Sequence, residues 1–335
     1  MRILHAVRSD GFAGVERHVA RLARGQAEAG EAVVVVGGEP AAMARELDGV
    51  PHLPAASLPD VAQALRRHGR RADVVHVHMT AAEVAAGLAL WSAHPAVVTT
   101  RHFARPRGSG AAGPLVAAAA RRPLRAQIAI SHYVARHVDG PTTVVHPGVD
   151  VAPHDPAARE KLVLVLQRLE PEKATDVALR AFAASGVAAE GWRLRVAGAG
   201  SREPALRRLA ERLRLDVEFL GHHRDAPVLL RTAGVLLAPC PVEGLGLSVL
   251  EAMAHGLPVV AADAGGHTEL LGGLDPRALF PAGDSDAAAD HLRRLVDDDV
   301  GRAAYGEAAA RRQRAGFTLA TQVAETGAVY RGVLS

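Results

Sequence analysis

The chain has 335 residues, 49% hydrophobic and 22% charged, a balance that excludes a disordered or fibrous polypeptide. Aromatic residues make up 3%, too few for a base-stacking nucleic-acid binder, and the single cysteine, Cys240, excludes an internal disulfide or a multi-cysteine zinc site. Formal net charge is +3 but uneven: residues 1–150 carry 17 arginines and no lysine against 12 acids, leaving 22 basic and 24 acidic residues in the remainder. No apolar run approaches the roughly 18 residues of a membrane span. The opening Met1–Arg8 is too short in its apolar part for a secretory signal. At about 150 residues per domain, the expectation is a soluble, cytoplasmic protein of two domains.

In chain order, Ile3–Val7 reads as a short strand, Ser9–Gly14 as a loop and Val15–Ala29 as an amphipathic helix stopped by Gly30. Val33–Val36 is an apolar run of the kind buried in parallel sheets. Val74–Val77, Val97–Thr100, Ile128–Ile130 and Thr143–Val145 are further strands, and Pro147–Pro156, rich in proline and aspartate, reads as a linker. The pattern then restarts. Strands are expected at Leu162–Leu166, Leu194–Gly198, Val217–Leu220, Val235–Ala238 and Pro258–Ala262. Helices are expected at Thr175–Ala184, Glu203–Leu213, Leu247–His255, Ala287–Val296, Arg302–Arg314 and Leu319–Val333. Such alternation predicts two doubly wound α/β domains, 1–150 and 158–315, facing each other across a cleft, with a helix near 317–335 returning to the first. Ligands of such sheets lie at the carboxyl ends of the strands.

The most informative stretch runs from Pro239 to Ala261: a strand end, a turn containing Glu243-Gly244-Leu245-Gly246, a helix opening at Leu247 and Ser248, then Gly256-Leu257-Pro258 before a strand. Amides at the helix start make an anion site, and Glu243 and Glu251 beside it can grip polyol hydroxyls. A nucleotide sugar is a phosphate group between two polyols, so the parts match. Gln167-Arg168-Leu169-Glu170-Pro171-Glu172-Lys173-Ala174 follows the first strand of the second half, where Arg168 and Lys173 can neutralise a leaving diphosphate.

The string Glu-Gly-x-Gly-Leu-x-x-x-Glu-Ala-Met-Ala-x-Gly-x-Pro-Val-Val-Ala resembles the signature of retaining glycosyltransferases of family four, which have the GT-B fold of two Rossmann-like domains. Leu245 stands where phenylalanine is usual, and Gln167 and Ala174 stand where the family has glycines around its basic pair. The resemblance implies that Glu251 holds the donor ribose, and that Glu243 binds the donor sugar beside the reacting carbon. Gly198, Gly244, Leu245, Gly246, Leu247 and Ser248 are then donor contacts as well. Gly11-Phe12-Ala13-Gly14-Val15-Glu16-Arg17 resembles the family's opening loop, assigning the amides of Gly14 and Val15 to the donor phosphate. His102, ending a strand, matches the histidine that the family sets against the donor sugar. Gly265-Gly266-x-x-Glu269 and His146–Asp150 are also family-like.

Catalytic residues by this resemblance are Glu243, His102, Arg168 and Lys173. It implies no obligatory metal and no cofactor beyond the nucleoside-diphosphate sugar. Asp284-Ser285-Asp286 has the Asp-x-Asp spacing, but is expected to cap a helix. The expected activity is transfer of a sugar to an acceptor hydroxyl with retained anomeric configuration, by a front-face route. The acceptor is a cell-envelope glycolipid or polysaccharide, or an antibiotic-type natural product. A nucleotide-sugar epimerase and a non-catalytic nucleotide-sugar-binding subunit are the alternatives. Between Glu83 and Asp139 no acid occurs, whereas Arg101, Arg105, Arg107, Arg121, Arg122, Arg125 and Arg136 do. That stretch is expected to meet an anionic membrane, an acceptor or only water. Richness in alanine and arginine fits a high-GC bacterial genome.

Overall fold

A computed structural model describes the chain except for residues 91–94, 109–112, 153–158 and 224. It divides into two units, Met1–Gly148 with Leu319–Ser335, and Val149–Thr318. Both are built on parallel sheets, as the apolar runs predict.

In the first unit the elements are β1 (Arg2–Val7), α1 (Gly14–Glu28), β2 (Ala32–Val36), α2 (Pro40–Leu47), β3 (His52–Leu53), α3 (Leu58–His68), β4 (Val74–His78) and α4 (Met79–Ala89). They continue with β5 (Ala96–Arg101), α5 (Gly113–Arg121), β6 (Leu124–Ala129), α6 (His132–His137) and β7 (Thr143–Val144). Sheet order is β3-β2-β1-β4-β5-β6-β7, so the winding reverses between β1 and β4. Helix α3 starts at a capping box in which Ser57 and Asp60 satisfy each other's amides.

Strand alternation sorts the two faces of this sheet. Leu4, Ala6, Val75, Val77 and Val97 pack with residues of α3 and α4. On the other face Ile3, Val74, Val98 and Ile128 pack against Val19, Ala20 and Ala23 of α1. Toward the carboxyl ends that second face changes character. There the next inward residues are His5, His76 and Thr100, with His78 and His102 beyond them, and all five are buried.

The second unit contains β8 (Leu162–Leu166), α7 (Thr175–Ser185), β9 (Arg193–Ala197), α8 (Glu203–Arg212), β10 (Val217–Gly221), α9 (Ala226–Thr232), β11 (Val235–Ala238) and α10 (Leu247–Ala254). After these come β12 (Val259–Ala262), α11 (His267–Leu271), β13 (Leu279–Phe280), α12 (Ser285–Val296) and α13 (Asp299–Gly316). The order β10-β9-β8-β11-β12-β13 places the switch point between β8 and β11. Asp284 caps α12, accepting from the amides of Asp286 and Ala287, so the Asp-x-Asp spacing serves a helix start.

The last helix, α14 (Leu319–Leu334), belongs to the first unit. It sends Tyr330 and Gln322, both buried, among the histidines of that unit. The expected linker begins in ordered contact. Gly148 N–H donates to Gln322 Oε1 at 2.8 Å and Val149 N–H to the Phe317 carbonyl at 3.1 Å, while its latter part lies outside the described residues. Among the described residues no helix is long and apolar enough to cross a membrane.

Candidate active site

At the switch point of the second unit, loops from four strands converge. The loop after β8 carries Lys173, whose Nζ lies 2.5 Å from Glu243 Oε2 in the loop after β11. The loop after β12 backs onto the same carboxylate residue, with Gly266 N–H donating to the Glu243 carbonyl at 2.9 Å. A Cβ on Gly265 would stand 2.3 Å from that carbonyl oxygen, and one on Gly266 2.3 Å from Leu245 Cα. Only glycine permits this approach, so the Gly265-Gly266 pair seats the Glu243–Leu245 turn. The loop after β9 presses equally close to the basic loop, since a Cβ on Gly198 would lie 1.8 Å from the Gln167 carbonyl oxygen.

The side chains of Lys173 and Glu243 are 15% and 25% exposed, so their charges are partly desolvated yet still reachable. Burial alone would raise the Glu243 carboxyl, but the Lys173 ammonium and the neighbouring His267 outweigh it and hold the pKa below its ordinary value. Glu243 is therefore an anion at neutral pH, suited to accepting hydroxyl hydrogens and not to donating a proton. Cys240, buried beside the pair, has its thiol pushed up to about 11, chiefly by burial, and is no nucleophile.

Helix α10 opens at Leu247 after Gly246, which takes a left-handed φ of 103° and offers no side-chain cap. Amides of its first turn, including those of Leu247 and Ser248, have no acceptor within the helix. Glu251 lies on the following turn of α10, half-buried. Arg168 does not join Lys173: it is exposed and bonded to Glu172 at 2.9 Å. The two cations expected to act on one diphosphate thus hold different carboxylates in this structure. An exposed pair such as Arg168–Glu172 is worth at most about 1 kcal/mol, a small barrier to exchanging Glu172 for another anion.

The two departures from the glycine pattern have local explanations. The Gln167 amide donates to the Lys173 carbonyl and to Thr175 Oγ1, both at 2.9 Å, stapling the turn from below. Ala174 occupies a left-handed conformation, φ 49° and ψ 39°, that a glycine would take without strain.

In the first unit, Gly14 and Val15 open α1, and Glu16 bends back to accept from the Ala13 amide at 2.9 Å. Glu16 is thus a helix-start carboxylate. His102 follows β5, 7% exposed, and its Nε2 is hydrogen-bonded to His78 Nδ1 at 3.1 Å. Burial, with Arg101 adding to it, lowers the His102 pKa to about 3, so the ring is neutral. Its neighbours His5, His18, His76 and His78 went unnoticed in the sequence. The signal was there: His76 and His78 are two residues apart on one strand and so share a face, and His5 pairs in register with His76.

The arginine stretch from Arg101 to Arg136 divides into inward and exposed members. Arg101 and Arg107 turn inward, 6% and 1% exposed at the side chain. Arg107 binds Glu83 through Nε at 2.6 Å and Asp139 through Nη1 at 2.9 Å. Arg101 and Arg121 also reach Asp139. The two acids that bound the acid-free window are therefore the ones that Arg101, Arg107 and Arg121 reach back to. Arg105, Arg121, Arg122, Arg125 and Arg136 are exposed.

Comparison with known proteins follows this geometry. The family profile described as glycosyl transferases group 1 matches residues 150–312, and that described as glycosyltransferase family 4 matches residues 12–153. The chain is 32% identical over 234 residues to the lipopolysaccharide core biosynthesis mannosyltransferase LpcC of Rhizobium leguminosarum bv. viciae, covering 64% of this chain and 66% of that one. It is 33% identical over 186 residues to a GDP-mannose-dependent monoacylated alpha-(1-6)-phosphatidylinositol monomannoside mannosyltransferase of Corynebacterium glutamicum, covering 48% of each. The chain thus spans about two thirds and about half of these relatives' lengths. In fold it matches the Anabaena protein HepE, solved in complex with UDP, with a TM-score of 0.83 at 22% identity over 99% of this chain and all of that one.

Proposed function

The chain belongs to the family-4 glycosyltransferases of GT-B fold, and from that premise we propose that it moves a sugar from a nucleoside-diphosphate donor to an acceptor hydroxyl with retention of anomeric configuration. The observation that carries the reading is the meeting of Glu243 and Lys173 at the switch point, over the glycine pair that seats the turn. An ionised Glu243 grips donor-sugar hydroxyls and favours the positive charge that develops at the anomeric carbon. Lys173 and Arg168 balance the departing diphosphate, with the amides of Leu247 and Ser248 at the start of α10. Glu251 takes the ribose hydroxyls. The reading also assigns Gly14, Val15, Gly198, Gly244, Leu245, Gly246 and His102 to donor contacts. Because Glu243 is held as an anion by Lys173, it is not the acid of the reaction. Deprotonation of the acceptor falls to the leaving phosphate, on the same face. The donor is loaded as the nucleoside-diphosphate sugar itself, with no further cofactor. The proposed acceptor is a hydroxyl of a cell-envelope glycolipid or polysaccharide, a class supported by the names of the relatives above.

The test is thermal unfolding with UDP, GDP, ADP and dTDP, on the native chain and on Glu251→Gln. A ligand that binds only the folded state adds about 2.7 kcal/mol of apparent stability at 100 times its Kd. We expect one nucleotide to shift the native chain and to lose most of that shift in the variant. The matching donor, with GDP-mannose and UDP-glucose tried first, should then give a product whose one-bond carbon–proton coupling at the anomeric centre marks the same anomer as the donor. Isomerised donor without acceptor would establish the epimerase alternative, and no shift with any nucleotide would overturn donor binding altogether.

A further inference from the structure

Four histidines of the first unit are wired into one hydrogen-bonded network with a single direction. Its origin is the side-chain amide of Gln26 on α1. Gln26 Oε1 lies 2.7 Å from His5 Nε2, and a carbonyl oxygen only accepts, so His5 carries its proton on Nε2. His5 is neutral, its pKa pulled down to about 4 chiefly by burial, so its Nδ1 is bare. That nitrogen lies 3.1 Å from His78 Nε2, which must therefore donate. His78 is fully buried and also neutral, leaving its Nδ1 to accept from His102 Nε2 at 3.1 Å. The chain of donors ends at His102 with the proton on Nε2 and a bare Nδ1, which has no hydrogen-bond partner among the described residues.

The other half of the Gln26 amide runs a second branch with the same polarity. Its nitrogen donates to Tyr330 Oη at 3.3 Å, and the tyrosine hydroxyl, 2.6 Å from His76 Nδ1, then donates there. His76 in turn gives its Nε2 proton to Thr100 Oγ1 at 2.7 Å. His18 is set separately. Gln322 Oε1 is engaged by the Gly148 amide, so its nitrogen faces His18 Nε2 at 3.4 Å, and His18 packs edge-on to His102 with ring centroids 4.8 Å apart.

We propose that Gln26 is a positioning residue that fixes the tautomer of His102 through His5 and His78, so that His102 offers a bare Nδ1 as hydrogen-bond acceptor to a hydroxyl of the bound sugar. The sugar contact rests on the glycosyltransferase reading; the tautomer does not. A neutral imidazole has two tautomers of similar energy, and the one present is selected by the bond its other nitrogen makes. Here the selecting group is three links away on a different element. The same rings form two triads, His5/His76/His78 and His18/His78/His102, whose nitrogens lie within 4.8 Å of one another. That spacing also suits a cation. The short bonds already made by His5, His76 and His78 to Gln26, Tyr330, Thr100 and one another favour the hydrogen-bonded arrangement.

The test is long-range proton–nitrogen NMR of the full chain labelled at histidine nitrogen, without ligand, at pH 7.5. The expected result is a proton on Nε2 and a bare Nδ1 for His5, His78 and His102. A proton on Nδ1 of His102 would overturn the proposal, as would bound zinc in the purified chain at one atom per molecule. In Gln26→Leu the selecting acceptor is gone, and both His102 tautomers should appear. Tyr330→Phe cuts only the other branch and should keep the single form. An unchanged His102 in Gln26→Leu would place the selection elsewhere and overturn the role of Gln26. With donor, Gln26→Leu should raise KM about twofold, because about half of the molecules then hold the accepting tautomer, and Tyr330→Phe should leave KM unchanged. Failure of the glycosyltransferase reading would show as absent turnover in all three chains with the tautomers as expected. Failure of the relay would show in the nitrogen spectra of an active enzyme.

Discussion

Acid should unfold the first unit well above the range where carboxylates titrate. His5, His18, His76, His78 and His102 are all buried, and each has its pKa lowered, burial being the largest cause in every case. Arg21 beside His18 and Arg101 beside His102 oppose protonation further. In the unfolded chain each ring titrates near 6.5. The unfolded state therefore binds more protons than the folded one below that pH, and stability is lost as pH falls through 6.5 toward the folded values. Between pH 7.5 and 5.5 each such group removes about 1.4 kcal/mol, so five together remove about 7 kcal/mol. A domain is stable by about 5–15 kcal/mol in total. In the second unit burial also lowers His267 and, less deeply buried, His291. Its loss over the same interval is at most about 3 kcal/mol. The assay is urea unfolding from pH 7.5 to 5.0, with hydrogen exchange and mass spectrometry assigning the transition to each unit. The first unit should lose its urea midpoint much faster than the second. Equal slopes for the two units, or a first-unit midpoint flat to pH 5.5, would refute the reasoning, because the rings would then already carry protons or a cation in the native state.

Other substitutions probe single features. Ala174→Gly releases a left-handed alanine and should raise stability by about 0.5–1 kcal/mol, read from the urea midpoint of the second unit; a lower midpoint would contradict the strain. Gly265→Ala adds a Cβ 2.3 Å from the Glu243 carbonyl at a φ of 59°, and should cost about 2 kcal/mol or more. Because the displaced residue is Glu243, nucleotide affinity by calorimetry should fall together with Tm. Glu83→Gln uncovers one side of the buried Arg107, and should cost about 3 kcal/mol, the low end for a broken buried pair, since Asp139 still faces the guanidinium. Thermal unfolding of the variant measures this directly.

The parts of this molecule legible in sequence are those whose cause is local. Leu162–Leu166 is an apolar run between charged and polar residues, Val235–Ala238 one between Gly234 and Pro239, and the strands occupy those residues. Leu247 opens α10 because Gly246 before it takes a left-handed turn that a helix cannot include. In the first half α4, Met79–Ala89, is faint in sequence because it buries four alanines and Glu83 and so carries little apolar stripe. The two-residue edge strands β3, β7 and β13 are too short for any periodicity. Site features set by distant partners were the hardest to see. Nothing near Lys173 announces Glu243, 70 residues on, and Gln26 meets Tyr330 across 304 positions. The inward turn of Arg107 is hidden for the same reason, since its acids lie at either end of the window and not within it.

Helix α14 has a consequence for how the chain is made. The first unit is almost wholly synthesised by Gly148, yet Tyr330, which partners Gln26 and His76 in its interior, is added only after the 170 residues of 149–318 have been translated. At about 5–20 residues per second that interval is about 10–35 s. Throughout it the emerging first unit holds His76 without its tyrosine, and the apolar face of α1 without the helix that belongs on it. The second unit, contiguous in sequence, meets no such delay. Order of completion on the ribosome is therefore the reverse of order in the sequence. A message truncated after residue 318 yields one finished body, and another whose histidine core stays open to water.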